Sequence, residues 1–434
     1  MPHALCSLFS RQHFPSQGSC PVLLSKAIAM RSSYNFFLRR RLSTAAALDI
    51  PPPPSVLHNL PSPSKALARL KSALLTESNP EKIFDLFQSS THLPRFYSHR
   101  PLYDISINRL YRYRRVDLVE RLLESQKADP AAPKSEGFFI RIMSLYSNAS
   151  MLDHVFRTFE QIPGTERTEK SFCALLTAFL KHRHCDRVRD LFERVPGESG
   201  IVPGVAAHNI LLSSLCVAGE MDDARKVLDE MPKKGLEPDV ISYNAILSGY
   251  LNKGDKVGFD DALKEINCKG IAPNVVTYNL RILNFCKRLE SFKAEELLEV
   301  MISKGIRPYL STFNTIIDGF CKEGNLYSAT RVFKRMKSMK IAKGEKGFLP
   351  NADTYVVLIR GLVDTEDFAS AEEICRECLI RKYVPPFESL KALINQLVKD
   401  SKVTAAKDLV DNMRKVVKGS AVASWSKLEA ELPL

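Results

Sequence analysis

The chain has 434 residues, 45% hydrophobic and 26% charged, a balance compatible with a folded core. Its formal charge of +13 and pI near 9.2 favour an anionic partner, either nucleic acid or a membrane surface. No apolar run approaches the roughly 20 residues needed to span a bilayer, and ten scattered cysteines lack the density of a secreted disulfide scaffold.

Met1 to Leu48 contains no Asp or Glu, while Arg11, Lys26, Arg31, Arg39, Arg40 and Arg41 supply six positive charges among Ser, Phe and Leu. This composition predicts an organellar transit peptide over 1–48, since a secretory signal needs a compact apolar core near its start. Arg40-Arg41-Leu42-Ser43-Thr44 resembles a mitochondrial processing site, which favours the mitochondrial matrix over the plastid. Residues 49–63, with Pro51 to Pro54, Pro61 and Pro63, read as a stiff linker. Two amphipathic segments around Ala66–Leu70 and Ile83–Phe87 flank Asn79-Pro80, so an amino-terminal helical cap is expected over 64–99.

From Val205 to Asn351 one pattern recurs in four consecutive copies. Val205-Ala206-Ala207-His208-Asn209 is followed in register by Val240-Ile241-Ser242-Tyr243-Asn244, Val275-Val276-Thr277-Tyr278-Asn279 and Leu310-Ser311-Thr312-Phe313-Asn314. Matching tails close the copies, including Gly235-Leu236-Glu237-Pro238-Asp239 and Gly270-Ile271-Ala272-Pro273-Asn274. A fixed period of this kind signals a solenoid, whose units bury their apolar faces against their neighbours. Within a copy, apolar residues at three- and four-residue intervals predict a helix from Tyr243 to about Lys253 and a second from about Val257 to Cys268. Gly254, Gly270 and Pro273 punctuate them, so each unit is an antiparallel helix hairpin.

Three degenerate copies precede this core over 100–204, and two follow over 352–420. A seven-residue excess around Lys340, Lys343, Gly344, Lys346 and Gly347 is expected on the surface, leaving the phase intact. Residues 421–434 read as a closing cap. Cys216, Cys286 and Cys321 share one repeat position, where a small soft side chain packs between helices.

The 35-residue hairpins, with Gly319-Phe320-Cys321-Lys322-Glu323-Gly324-Asn325-Leu326, Ala329 and Met336 in phase, resemble the pentatricopeptide repeat family of plant organelles, in its pure P-class, plant mitochondrial form. That resemblance implies an all-α, right-handed superhelical solenoid of antiparallel hairpins. It also implies reading of single-stranded RNA at one base per repeat. In the family, the fifth residue and the last residue of a repeat discriminate the base. Carried over, Asn209 pairs with Asp239, Asn244 with Asn274, Asn279 with Tyr309 and Asn314 with Asn351. The family rule assigns uracil to the first pair and cytosine to the second and fourth; Tyr309 departs from the pattern and leaves its base unassigned. Ala206, Ile241, Val276 and Ser311 are the residues expected to sandwich bases, with Lys287 and Lys322 in phase for phosphates. The other fifth positions, Asp104, Ile140, Cys173, Val356 and Lys391, do not follow the code.

An Asn near a helix start also fits a structural role, capping the helix or tying neighbouring units together. Cys375-Arg376-Glu377-Cys378 spells a zinc or redox spacing, but no second Cys pair or later histidine accompanies it, so packing is the expected role. No deaminase signature of His-x-Glu with paired cysteines is present, nor a Gly-x-x-x-x-Gly-Lys loop. The expectation is therefore a protein that is not an enzyme, needs no cofactor or metal, and acts on mitochondrial mRNA or rRNA in transcript stability, processing or translation. The alternative is a structural subunit of the mitochondrial ribosome, resembling short pentatricopeptide proteins found there in plants.

Overall fold

The computed structural model describes residues 63–339, 348–419 and 421–434. The basic leader, nearly all of the proline-rich linker and the Lys340–Gly347 stretch lie outside the described residues. Twenty-one α-helices and three short 3-10 turns account for the structure, with no strand among the described residues. The expected all-helical repeat fold is therefore observed.

Pro63–Thr76 (α1) and Pro80–Gln88 (α2) open the array. Nine hairpins follow. The first three are Arg100–Arg112 with Val116–Ala128 (α3, α4), Glu136–Asn148 with Leu152–Glu160 (α5, α6), and Glu169–Lys181 with Cys185–Ser199 (α7, α8). The four regular copies are Val205–Ala218 with Met221–Glu230 (α9, α10), Val240–Lys253 with Lys256–Cys268 (α11, α12), Val275–Lys287 with Ser291–Ser303 (α13, α14), and Leu310–Lys322 with Leu326–Ser338 (α15, α16). Ala352–Asp364 with Phe368–Ile380 (α17, α18), Phe387–Lys399 with Val403–Val416 (α19, α20) and the single helix Ala421–Glu429 (α21) complete the chain. Each hairpin's first helix packs on the first helix of the next hairpin.

Local chemistry sets the ends of these helices. Asp239 caps α11 by accepting from the Ile241 and Ser242 amides, and Asp255 caps α12 by accepting from Gly258, satisfying donors that a helix start leaves open. The fifteenth residue from the start of every first helix makes the turn with positive φ. Glycine fills it at Gly219, Gly254 and Gly324, whereas Arg114, Ser150, Arg183, Leu289, Glu366 and Ser401 hold the same left-handed turn at φ between 58° and 62°. L-residues adopt this region at a cost that glycine avoids.

The fourth residue of each first helix points into its own hairpin, where Tyr103, Phe139, Phe172, Tyr243, Tyr278, Phe313, Tyr355 and Leu390 are buried. Each such burial contributes about 1.5–3 kcal/mol. His208 occupies the same place in α9 and is equally enclosed. Between hairpins, Cys216, Cys286 and Cys321 meet glycines of the next first helix. A Cβ built on Gly249, Gly319 or Gly361 would come within 2.9, 2.7 and 2.5 Å of the respective cysteine sulfurs, so the small residue on one side exists to admit the thiol on the other.

The buried apolar residues form three separate clusters, Leu67 to Ala207, Leu211 to Ile266, and Tyr278 to Leu428. The second border coincides with Arg281, which stands where α9, α11 and α15 bury Leu211, Ile246 and Ile316. Beyond the 340–347 stretch the chain resumes in register. The Phe348 amide donates to the Met336 carbonyl at 3.1 Å, the Phe348 ring lies 5.3 Å from Phe313, and Asn351 caps α17 as Asp239 caps α11.

Candidate nucleic-acid interface

The second, fifth, sixth and ninth residues of each first helix share one face that the second helices leave uncovered. In α9, α11 and α13 this face consists of Ala206, Asn209, Ile210, Ser213; Ile241, Asn244, Ala245, Ser248; and Val276, Asn279, Leu280, Leu283. None of these twelve residues is charged. Ala206, Ile241 and Ser311 are exposed and Val276 is half-buried.

The fifth-position asparagines are held by the next hairpin. Asn209 Nδ2 donates to Asp239 Oδ1 at 3.0 Å, and its Oδ1 accepts from Ser242 Oγ at 2.5 Å. Asn244 repeats this with Asn274 at 3.1 Å and Thr277 at 2.8 Å. Asn314 does so with Asn351 at 3.3 Å and Thr354 at 2.9 Å, despite the longer intervening tail. Asn209 and Asn244 are only 6% and 7% exposed. The structure therefore brings together the members of three of the four paired positions, and it does so through the cap of the following helix.

The third-position hydroxyls are the partners that the sequence reading did not assign. Ser242, Thr277, Thr312 and Thr354 each accept from the backbone N–H of the preceding cap residue, at 3.0–3.2 Å, and each donates to the fifth-position asparagine of the hairpin before. Their recurrence one residue before the conserved-phase aromatic was the available signal.

The cap residues use one side-chain atom for this work. Asp239 Oδ1 serves both the helix amides and Asn209, while Asp239 Oδ2 makes no hydrogen bond to the protein among the described residues. Asn274 Oδ1 does the same for its own helix and Asn244, which leaves the Asn274 amide nitrogen without a protein partner among the described residues. The first unit thus offers a spare acceptor and the second a spare donor. In the fourth, Asn351 Nδ2 already donates to Asp353 at 3.2 Å.

The unit of Asn279 and Tyr309 is different. Thr312 still donates to Asn279 Oδ1 at 2.7 Å, but no cap carboxylate or amide receives the Asn279 nitrogen, and Asn279 is more exposed than its two predecessors. Lys287 donates to the Leu251 carbonyl at 2.7 Å, and Lys322 pairs with Asp318 at 2.5 Å; both ammonium groups are exposed yet already engaged.

Ahead of the regular copies a different residue does the tying. Glu136, the first residue of α5, accepts from the Thr168 amide at 2.9 Å and hydroxyl at 2.7 Å, and from the Ser171 amide at 3.2 Å. Glu169, the first residue of α7, accepts from Gly204 and Ala207 at 2.8 and 3.2 Å. Gly204 has no side chain to cap α9, and the carboxylate occupies the place where its Cβ would stand, 2.9 Å away. The fifth positions of these hairpins, Ile140 and Cys173, are thereby relieved of the role that Asn209 plays.

Cys375 and Cys378 are buried inside α18, and burial pushes the Cys378 thiol up to about 12 and that of Cys375 higher still. A zinc ligand is a thiolate, and no cluster of three or more potential metal-binding side chains occurs among the described residues. No helix among them is long and apolar enough to cross a membrane.

A model of the PPR repeat family matches residues 203–252 and 238–287, and PPR repeat models match 276–306 and 304–337. Small ribosomal subunit protein mS78 (rPPR3a) of Arabidopsis thaliana is 31% identical over 207 residues, covering 47% of this chain and 51% of that protein. A mitochondrial pentatricopeptide repeat-containing protein of Arabidopsis thaliana is 31% identical over 180 residues, 41% of this chain and 44% of that one. The chain spans about half the length of these curated relatives. The maize pentatricopeptide repeat protein PPR10 aligns with a TM-score of 0.46 at 16% identity, over 85% of this chain and 62% of that one. The repeat models thus match the four regular hairpins in register, and the chain is similar to mitochondrial pentatricopeptide repeat proteins of Arabidopsis thaliana.

Proposed function

We propose that this protein is a P-class, non-enzymatic reader of single-stranded RNA in plant mitochondria, and that the first-helix face from Ala206 to Asn351 meets the bases. The observation that carries this reading is the coupling of Asn209 to Asp239 and of Asn244 to Asn274, with one cap atom in each pair left over. Uracil presents a donor at N3 and suits the spare acceptor of Asp239. Cytosine presents an acceptor at N3 and suits the spare amide of Asn274. Ala206, Ile241, Val276 and Ser311 flank these positions and supply surfaces against which a base packs. Occupying RNA in this way shields it from nucleases or keeps a site unpaired.

The test is Asp239→Asn in the full chain. Asn caps a helix as well as Asp does, so the fold and the bond to Asn209 persist while the spare acceptor becomes a donor. Binding to a set of RNAs differing at one position should move from uracil towards cytosine there. An unchanged base preference overturns the assignment.

Similarity to the ribosomal proteins mS78 and mS79 supports a second reading, in which the chain is a constitutive component of the mitochondrial ribosome. Sedimentation of organelle extract at high salt separates the two. Stable co-migration with one ribosomal subunit favours this second reading, and free or messenger-bound migration favours the first.

A further inference from the structure

The face that meets bases in this reading carries no charge through three hairpins, so the cations that hold RNA phosphates must lie elsewhere. They concentrate at the turns joining the two helices of the first and third hairpins, with the turn of the second between them. Segments 109–117, 148–153 and 181–187 contain seven Arg and Lys residues against three Asp. These turns adjoin one another. Tyr111 Oη lies 3.1 Å from Ser150 Oγ, and the Lys181 ammonium donates to Asn148 Oδ1 at 2.6 Å.

Several of these cations have internal duties. Arg109 donates to the Leu75 and Glu77 carbonyls at the end of α1, Arg115 pairs with Glu81 and Asp117 at 2.6 and 2.7 Å, and Arg187 pairs with Asp190. Arg112, Arg114 and Arg183 are exposed and form no ion pair among the described residues. In the later hairpins Arg225, Arg288, Arg331, Arg335, Arg376 and Arg414 are each bonded to a carboxylate, whereas Arg360 in α17 is exposed and forms no ion pair among the described residues. Tyr111 and Tyr113, 40% and 41% exposed, stand on either side of Arg112.

Arg114 and Arg183 hold the left-handed turn position at φ 58° and 62°, where Gly219, Gly254 and Gly324 sit without cost. Ser150, Leu289, Glu366 and Ser401 hold the same conformation, so glycine at either point removes the guanidinium and relieves the backbone together.

We infer that the turn edge of the first three hairpins, formed by Arg112, Arg114 and Arg183 with Tyr111 and Tyr113, is a second RNA-binding surface that grips phosphates and stacks unpaired bases without reading sequence. It lies on the hairpins whose fifth positions carry no code, so it adds affinity where the base-reading face ends. Exposed guanidinium and aromatic groups are the combination that sequence-tolerant single-strand binding uses. The inference rests on RNA being the ligand, but not on the base assignments.

The test combines Arg112→Gln, Arg114→Gly and Arg183→Gly in the full chain, with binding of a labelled oligouridylate measured across a salt titration. Glycine removes strain at both turns, so the melting temperature should stay level or rise. Loss of three phosphate contacts should reduce the slope of log K against log salt by about 2 and weaken binding roughly tenfold or more at moderate salt. Tyr111→Ala should weaken binding without changing the slope. Glu366→Gly, at the same turn position of a later hairpin, should leave or slightly strengthen binding. A triple variant with the parent's slope and affinity overturns the inference. A lowered slope together with an unaltered base preference in Asp239→Asn sinks the base assignments and leaves the second surface standing.

Discussion

Thr277 Oγ1 donates to Asn244 Oδ1 at 2.8 Å across the boundary between two hairpins, while the same threonine oxygen accepts from the backbone of its own cap, Asn274, at 3.2 Å. One hydroxyl thus ties the fifth-position asparagine of one unit to the helix start of the next. Replacing it with a shape-matched apolar group, Thr277→Val, leaves the enclosed Asn244 oxygen unsatisfied and should cost about 1–3 kcal/mol. Thr277→Ser should be tolerated, since Ser242 does the same work one unit earlier. Urea melts read the loss, and hydrogen exchange should localise it to the start of α13.

The packing of thiol on glycine predicts a different failure. A Cβ at Gly361 would lie 2.5 Å from Cys321 Sγ and 2.6 Å from its Cβ, so Gly361→Ala should destabilise by about 1–3 kcal/mol through overpacking. Adding Cys321→Ala removes the sulfur but keeps its Cβ, and should restore part of the loss. The double-mutant cycle, measured by thermal or urea melts, should show coupling between the two sites.

His208 introduces acid sensitivity. Its ring fills a place that tyrosine or phenylalanine fills in neighbouring units, its Nδ1 lies 2.8 Å from the Gly204 carbonyl, and its Nε2 is buried without a partner. Burial pulls its pKa below the usual histidine value, so the folded state holds the ring neutral. The unfolded chain takes up a proton first as pH falls, and the associated stability, complete above about pH 6.5, is lost progressively below it. Melting temperature should fall between neutral pH and pH 5, and His208→Phe should flatten that fall.

Thiol reactivity checks the reading of the Cys-x-x-Cys pair. Cys268 is exposed, whereas Cys375 and Cys378 are buried with raised pKa values. A thiol reagent should label Cys268 rapidly in the native protein and reach Cys375 and Cys378 only on denaturation. Chelators should leave the melting temperature unchanged; a fall would show that the pair holds metal.

The amino-terminal ties can be separated from the central ones by Glu169→Ala. It strips the Gly204 and Ala207 amides of their acceptor and should cost about 1 kcal/mol, as loss of a helix cap does. The effect should appear at the α7–α9 junction and leave exchange in α15 and α17 at parental rates.

The hairpins could be read from the sequence because each repeat carries its own punctuation, such as Asp239 before a helix and Gly254 after it. Periodicity also exposed the cysteine position, because a constraint imposed by packing recurs with the packing. What escaped was the work done by residues whose partner lies one unit away. Ser242 and Thr277 looked like ordinary members of a motif until their hydroxyls were seen on Asn209 and Asn244. Glu136 and Glu169 gave no local hint that they bond to the helix start of the next hairpin, Glu169 in place of the side-chain cap that Gly204 lacks. The engagement of Lys287 with the Leu251 carbonyl was equally invisible, since phase alone places a lysine without naming what it touches.

The interruption of the buried core at Arg281 has a mechanical consequence. The apolar clusters Leu211 to Ile266 and Tyr278 to Leu428 are separate there, and the half-buried Leu280 and Leu283 reach from α13 to the first of them, so load passing along the array crosses that joint through half-buried rather than fully buried apolar side chains. Pulled from its two ends, the molecule should lengthen in discrete steps, parting first between α11 and α13. Arg281→Leu should make that first rupture harder and later. RNA held on both sides of the joint would act as a splint, making the force needed to open it a direct gauge of occupancy.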